Sequence, residues 1–194
     1  MDEIRKLSGL NEKQVDKAVS ICIDGLYNLF SAVSKDKEKL HRLLKNSFDY
    51  DMTYAYLQDG EAVGFLGLGN HLKRPIKLSK EIFMDIKGGF AGEVAYKAMS
   101  KAMEKLNINS PHEVLIEYIA TNPEHRCKGI GSKFIEFICH DLSYKAIELE
   151  VFSKNPRAIK FYERKGFQIV SKKADFMMMI QGNGRRILMR LETE

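Results

Sequence analysis

The sequence predicts an α/β fold in which helices flank a mixed sheet. Three observations carry that reading. The stretch from Glu113 to Phe167 runs as an apolar strand, a basic glycine-containing turn opening a helix, a second strand and a short capped helix. Apolar residues at Val15, Val19, Ile23, Leu26 and Phe30 recur at steps of three and four, the period of an amphipathic helix. Between these parts, Tyr54 to Leu57 and Ala62 to Leu68 are strand-like runs separated by Asp59-Gly60, a dipeptide that favours a tight hairpin.

Taken in order, Asn11 with Gln14 three positions on makes a capping box at the start of the first helix, expected over about 11–30. A second short helix is expected over about 35–45, with Leu40, Leu43 and Leu44 inward. After a basic loop, Ile82, Phe83, Ile86, Phe90, Val94, Ala98, Ala102 and Leu106 continue at helical spacing. Gly88-Gly89 interrupts them, and since a mid-helix glycine costs about 1 kcal/mol, a break between two helices is expected there. Such a stripe packs on the sheet in the first reading and forms a lid in the second. Glu113 to Thr121 is nearly continuous in apolar character, as a central strand buried on both faces would be. Ile130, Phe134, Ile135, Phe137, Ile138 and Leu142 form the buried stripe of the following helix. Ile147, Leu149 and Val151 alternate with Glu148 and Glu150, a half-buried strand with its glutamates toward solvent. Asn155 is the expected N-cap of the last helix, with Pro156 at its first position and Lys165-Gly166 as its stop. Phe167 to Val170, Phe176 to Ile180 and Ile187 to Leu191 read as closing strands.

At 194 residues, with 44% hydrophobic and 29% charged residues, the chain suits one globular domain, 1–194, with a helical insertion at about 70–110. No run reaches the ~18 to 20 apolar residues of a membrane span, and Met1-Asp2-Glu3 does not resemble a signal peptide. A cytoplasmic location without a membrane partner is therefore expected. Cys22, Cys127 and Cys139 lack CxxC spacing, which fits a reducing compartment. His125, Cys127, Cys139 and His140 sit either side of a helix without zinc-site spacing, so no metal is expected. The net charge of +5 favours anionic ligands, but the cations are dispersed and no basic helix stripe carries interleaved aromatics. Nucleic acid is accordingly not an expected partner.

The chemistry concentrates in Arg126-Cys127-Lys128-Gly129-Ile130-Gly131-Ser132. N–H groups at the start of a helix lack intrahelical acceptors and lie at the positive end of its dipole, so they bind phosphate. Gly129 and Gly131 admit close backbone approach, Arg126, Lys128 and Lys133 add charge, and Ser132 adds a hydroxyl. The P-loop spacing is absent, and the third glycine of the dinucleotide fingerprint is missing. A different diphosphate ligand is called for.

At this point the chain resembles a family. Ile116 to Gly131 is similar to motif A of the GNAT superfamily of acyl-CoA-dependent N-acetyltransferases, whose R/Q-x-x-G-x-G/A core is matched at Arg126, Gly129 and Gly131. Leu149 to Phe167 resembles the family's motif B in order and spacing. Cys127 stands where many relatives have glycine; an inert side chain or a redox-sensitive thiol are both readings of it. The resemblance implies a GNAT-type mixed, mostly antiparallel sheet of about six to seven strands flanked by helices. It also implies two parallel strands that splay to admit acetyl-CoA as cosubstrate. By carry-over, the cofactor contacts are Ile119, Ala120, Thr121, Arg126, Cys127, Lys128, Gly129, Ile130, Gly131, Ser132, Asn155 and Tyr162.

The implied reaction is attack of a neutral primary amine on the acetyl thioester, with CoA leaving as a thiolate. Tyr162 matches the family's general acid, while packing in the core is its other reading. An amine of pKa ~10.4 must lose a proton at neutral pH, and Glu117, interrupting an apolar strand, is the leading candidate base. A salt-bridged or substrate-binding glutamate with a water relay is the alternative. The acceptor expected is a small-molecule or peptide amine, and the protein a monomer or homodimer. The rival reading is a non-catalytic acyl-CoA-binding or sensing protein.

Overall fold

A computed structural model describes residues 2–103, 108, 110–175, 179–180 and 182–193. Seven strands form one sheet in the order β1-β2-β3-β4-β5-β7-β6. They are β1 (Glu3–Lys6), β2 (Thr53–Gln58), β3 (Glu61–Gly69), β4 (Glu113–Thr121), β5 (Ala146–Phe152), β6 (Gln168–Lys173) and β7 (Arg186–Glu192). The β4–β5 pair is parallel and every other pair antiparallel, so the sheet is mixed and mostly antiparallel as expected. Helices α1 (Glu12–Gly25), α2 (Tyr27–Phe30), α3 (Lys37–Ser47), α4 (Lys80–Lys87), α5 (Gly89–Met103), α6 (Ile130–His140) and α7 (Pro156–Arg164) flank it. No helix among the described residues is long and apolar enough to cross a membrane.

The local signals explain most boundaries. Asn11 and Gln14 form the reciprocal capping box of α1, and Asp59 and Gly60 turn the β2–β3 hairpin with φ of 51° and 83°. Gly88, at φ 83°, separates α4 from α5. Several expectations need correction. The first helix breaks at Leu26, whose φ and ψ of −122° and 24° are not helical, leaving α1 and the one-turn α2. Strand β1 has no sequence signal because its four residues are mostly charged; pairing with β2 makes it a strand. The stripe of α5 is not buried throughout: Ala95, Tyr96 and Met99 pack on the core, while Phe90 and Val94 are 83% and 51% exposed. Phe176 to Met178 of the expected strand, and Leu106 of the helical stripe, lie outside the described residues, and Met179 and Ile180 are helical.

Two cores occupy the two faces of the sheet. Along β2, Ala55 and Leu57 join a cluster with α1, α3 and α4, while Tyr54 and Tyr56 join another with α6 and α7. Strand β4 changes allegiance partway. Val114 and Ile116 belong to the α6–α7 cluster, but Tyr118 and Ala120, of the same parity, belong to the α1–α3 cluster. The cause is a bulge: Tyr118 pairs with Gly67 and Ile116 with Leu68, so Glu117 is an extra residue. One inserted residue shifts the two-residue period and swaps faces. Continuous burial of β4 on both faces is thus replaced by alternation that crosses from one core to the other.

One glutamate of β5 also departs from expectation. Glu150 pairs with Arg186 at 2.6 Å, and Glu148, 13% exposed, pairs with Arg190 at 2.8 Å. Arg186 and Arg190 come from the neighbouring strand β7, so Glu148 is met by a cross-strand ion pair rather than by water, while Glu150 stays exposed as expected and is paired as well.

Helix α6 is seated by a missing side chain. A Cβ on Gly64 of β3 would lie 2.8 Å from Ile130 Cγ2 and 2.9 Å from Phe134 Cε2. Gly64→Ala should therefore overpack the start of α6 and destabilise the protein by about 1 to 3 kcal/mol. Urea unfolding of wild type and variant measures this, and an unchanged midpoint contradicts the packing account.

Candidate functional site

The site begins where β4 and β5 part. Glu113 to Ile116 pair with Ala146 to Leu149, and no pairing with β5 continues through Glu117 to Thr121. The gap opens toward the turn after β4. There Asn122 caps the short 3-10 turn Pro123–His125, its Oδ1 accepting from Glu124 N. Cys127 at φ 64° and Gly129 at φ 83° then bend the chain through two left-handed residues. Cys127 is costly there because a Cβ opposes that conformation, whereas Gly129 is not. Helix α6 starts at Ile130, and Lys133 N already donates to Gly129 O at 3.0 Å. The three N–H groups before Lys133 therefore lack intrahelical acceptors, and the N-cap Gly129 has no side chain to occupy them.

A cavity of about 670 Å³ fills the gap, the size of a cofactor site. Ile119, Ala120 and Thr121 line it from β4, and Arg126, Cys127, Gly129, Ile130, Gly131 and Ser132 from the turn and α6. Asn155 and Tyr162 line it from α7. Of the residues singled out from sequence, Lys128 and Glu117 do not line it. Arg126, Arg157 and Arg164 do, and no lining residue is acidic. The electrostatics suit a polyanion.

Helix α7 supplies the opposite wall. Asn155 Oδ1 accepts from Ala158 N at 3.1 Å, with Pro156 in the first turn, so the cap is used and the side-chain NH2 is left to donate. Arg157 Nη2 donates to Cys127 Sγ at 2.9 Å, bridging the two walls. A Cβ on Gly131 would come 3.1 Å from Phe161 Cζ, so the glycine also lets α7 close on α6. Arg157, Phe161 and Arg164 escaped the sequence reading. Their spacing of four and three places them on one helical face beside Ala158, a signal that could have found them.

Tyr162 is 7% exposed, with its ring against Phe161 and Phe167 at 5.1 and 5.4 Å between centroids. Burial pushes its hydroxyl well above the usual phenol value. Among the described residues none hydrogen-bonds that hydroxyl. Both readings of Tyr162 thus meet in one side chain, packed in the core and bordering the cavity. Glu117 lies just past the last paired residues, 4% exposed, in an ion pair with Arg74 at 2.6 Å. Burial pushes its carboxyl up, and Arg74 pulls it back toward the ionised form. His125 Nδ1, at the cavity edge, is buried without a partner among the described residues.

With this geometry in place, the comparisons with known proteins are direct. A family model described as "Acetyltransferase (GNAT) family" matches residues 23–167. The chain belongs to the GNAT acetyltransferase family. Among solved structures, PH1933 from Pyrococcus horikoshii OT3 is similar with a TM-score of 0.61 and 18% identity over 100% of this chain and 99% of that one. The ribosomal-protein-S18-alanine N-acetyltransferase from Escherichia coli gives 0.58 and 15% over 100% and 95%. Ard1 from Thermoplasma volcanium gives 0.57 and 17% over 100% and 98%. At these identities the likeness is one of fold. No curated protein sequence matches the chain significantly.

The environment of Tyr162 makes a titration prediction. Its phenol should remain protonated where exposed tyrosines ionise, near pH ~10. Because its folded-state value is raised, its contribution favours the folded protein below that pH and is lost as pH rises past it. An ultraviolet difference titration of wild type against Tyr162→Phe should show no phenolate from this residue at pH ~10 to 11; its appearance there contradicts the buried assignment.

Proposed function

We propose that the protein transfers an acetyl group from acetyl-CoA to a primary amine. The observation that carries the reading is the cavity between the parted β4 and β5, ending on an uncapped helix start with arginines on its walls. Family membership supports acetyl-CoA as cosubstrate. The residues fit that group: a diphosphate matches the free N–H groups of α6, and the narrow gap matches an extended pantetheine chain. When bound, acetyl-CoA supplies the thioester acetyl group.

The chain's own residues divide the remaining work. Ile130, Gly131 and Ser132 offer backbone donors to phosphate, with Arg126 and Arg157 adding charge from either wall. Ile119 and Thr121 offer unpaired strand edges to amide groups along the gap. Asn155 donates from its free NH2. Lys128, between the lining residues Cys127 and Gly129, adds positive charge to the same turn. Tyr162 is the proton donor to the leaving sulfur; burial keeps it neutral but also makes it the weaker acid, so its position against the sulfur carries the step and solvent restores its proton as CoA-thiol leaves. Glu117 belongs to the acceptor side. Acceptor and oligomeric state are matters for experiment, and this reading takes the whole of 1–194 as one catalytic unit in the cytoplasm.

The test is CoA-thiol release from acetyl-CoA with a panel of small amines, polyamines, amino acids and peptides. Wild type should turn over at least one of them, and Tyr162→Phe should lower kcat by about 10²- to 10⁴-fold while acetyl-CoA binding persists. Equal rates for wild type and variant overturn the acid role. Acetyl-CoA binding without turnover of any amine favours the non-catalytic acyl-CoA-binding reading instead.

A further inference from the structure

Glu117 occupies a built site. It is the extra residue of the β4 bulge and the first β4 position beyond the pairing with β5. Arg74 Nε donates to its Oε1 at 2.9 Å and its Oε2 at 3.1 Å, and Arg74 Nη2 donates to Oε2 at 2.6 Å. Diagonally from it on β3, a Cβ on Gly69, the partner of Leu115, would stand 2.5 Å from Oε1. The carboxylate thus fills the volume that any other residue at position 69 would take. Arg74 is delivered by a tied loop. Asn70 Oδ1 accepts from Leu72 N and Lys73 N, both at 2.9 Å. Asp49 N donates to Pro75 O at 2.9 Å, and Lys77 N to Ser47 O at 2.7 Å.

An enclosed ion pair is a poor device for stability, since apolar residues of similar volume commonly do as well or better. Its location is what gives it a use. Glu150 of β5 follows Leu149, the partner of Ile116, is near enough to act on the Glu117 carboxyl, and is held by Arg186. A carboxylate offers about four lone-pair positions, so bidentate clamping by Arg74 leaves Glu117 able to accept a further hydrogen bond.

We propose that Arg74 is a positioning residue that clamps Glu117 where the β4–β5 pairing ends, behind the cavity wall rather than on it, ionised and oriented to receive the ammonium group of an acceptor that enters the gap. This rests on the acetyltransferase reading and assigns the acceptor end of that site to a cationic amine. Glu117 binds the ammonium as a carboxylate, and the amine proton then leaves to solvent rather than staying on a side chain already engaged by a guanidinium. The groups facing Glu117 are Arg74 from the loop after β3, Glu150 from β5 with Arg186 of β7 behind it, and its own neighbour Tyr118. Burial and Glu150 both disfavour the charged carboxylate; Arg74 is what favours it. Removing Arg74 therefore moves the titration of Glu117 upward.

Four variants test this: Arg74→Gln, Arg74→Lys, Glu117→Gln and the Arg74→Gln/Glu117→Gln double. Infrared difference titration against Glu117→Gln reads the Glu117 carboxylate with no acceptor present. Arg74→Gln should raise that titration by about one to three pH units. The acidic limb of kcat/KM for the best panel amine should shift equally, and its KM should rise about tenfold. The dissociation constant of acetyl-CoA should stay unchanged, Arg74→Lys should fall between, and the double variant should match Glu117→Gln. An unmoved titration and acidic limb, with only a lower melting temperature, overturns the proposal. If Arg74→Gln does not fold, Arg74→Lys carries the same comparison, and a wild-type titration and KM in it overturns the clamp. If no amine is turned over, the transferase reading fails, while the infrared arm still decides whether Arg74 holds Glu117 ionised.

Discussion

The arrangement depends on one interruption of hydrogen bonding. Strands β4 and β5 run parallel and pair only as far as Ile116 and Leu149. Backbone donors and acceptors beyond that point face a gap instead of a neighbour, and unpaired backbone groups away from water are unfavourable. The gap is tolerable because it is an open cavity rather than a sealed void, so its backbone groups are not shut away from water. Everything described about the site is placed by that parting: the turn and α6 at one end, α7 along one wall, Glu117 at the apex.

The bulge at Glu117 serves the same end. By inserting one residue opposite the Gly67–Leu68 step, it transfers Tyr118 and Ala120 from one core to the other. The strand is therefore anchored to the α6–α7 core below the gap and to the α1–α3 core alongside it. The bulge falls where the pairing with β5 ends, and bulges commonly bend and twist the strand that carries them. Glycines complete the fit where backbones or side chains approach closely, Gly64 beneath α6 and Gly69 beside the Glu117 carboxylate.

Electrostatics separate two regions of this site. The cavity wall carries Arg126, Arg157 and Arg164 without an acidic residue. The apex and the β5–β7 ladder instead carry matched pairs, Arg74 with Glu117, Arg186 with Glu150, and Arg190 with Glu148. The first region is cationic, whereas in the second each carboxylate is already matched by an arginine. The proposed anionic cosubstrate agrees with the first region, and the cationic amine of the proposal would have to share the paired Glu117.

Much of this was legible in the sequence. Local signals are short-range, so Asn11-Gln14, Asp59-Gly60, Gly88 and Asn155-Pro156 each marked a boundary, and the glycines and basic residues of 126–132 marked the anion turn. The resemblance of two motifs supplied the family. Strand β1 was invisible because four mostly charged residues become a strand only by pairing with β2. Glu148 looked solvated because alternation reveals which face a residue takes but not whether an arginine from another strand awaits it. Likewise the sequence placed Glu117 in an apolar strand but could not supply Arg74, 43 positions away. Periodicity and capping are properties of neighbours along the chain and so belong to the sequence by itself. The parting of β4 from β5, the bulge that coincides with it and the ion pair beside it are relations between distant segments, and only the tertiary structure decides them.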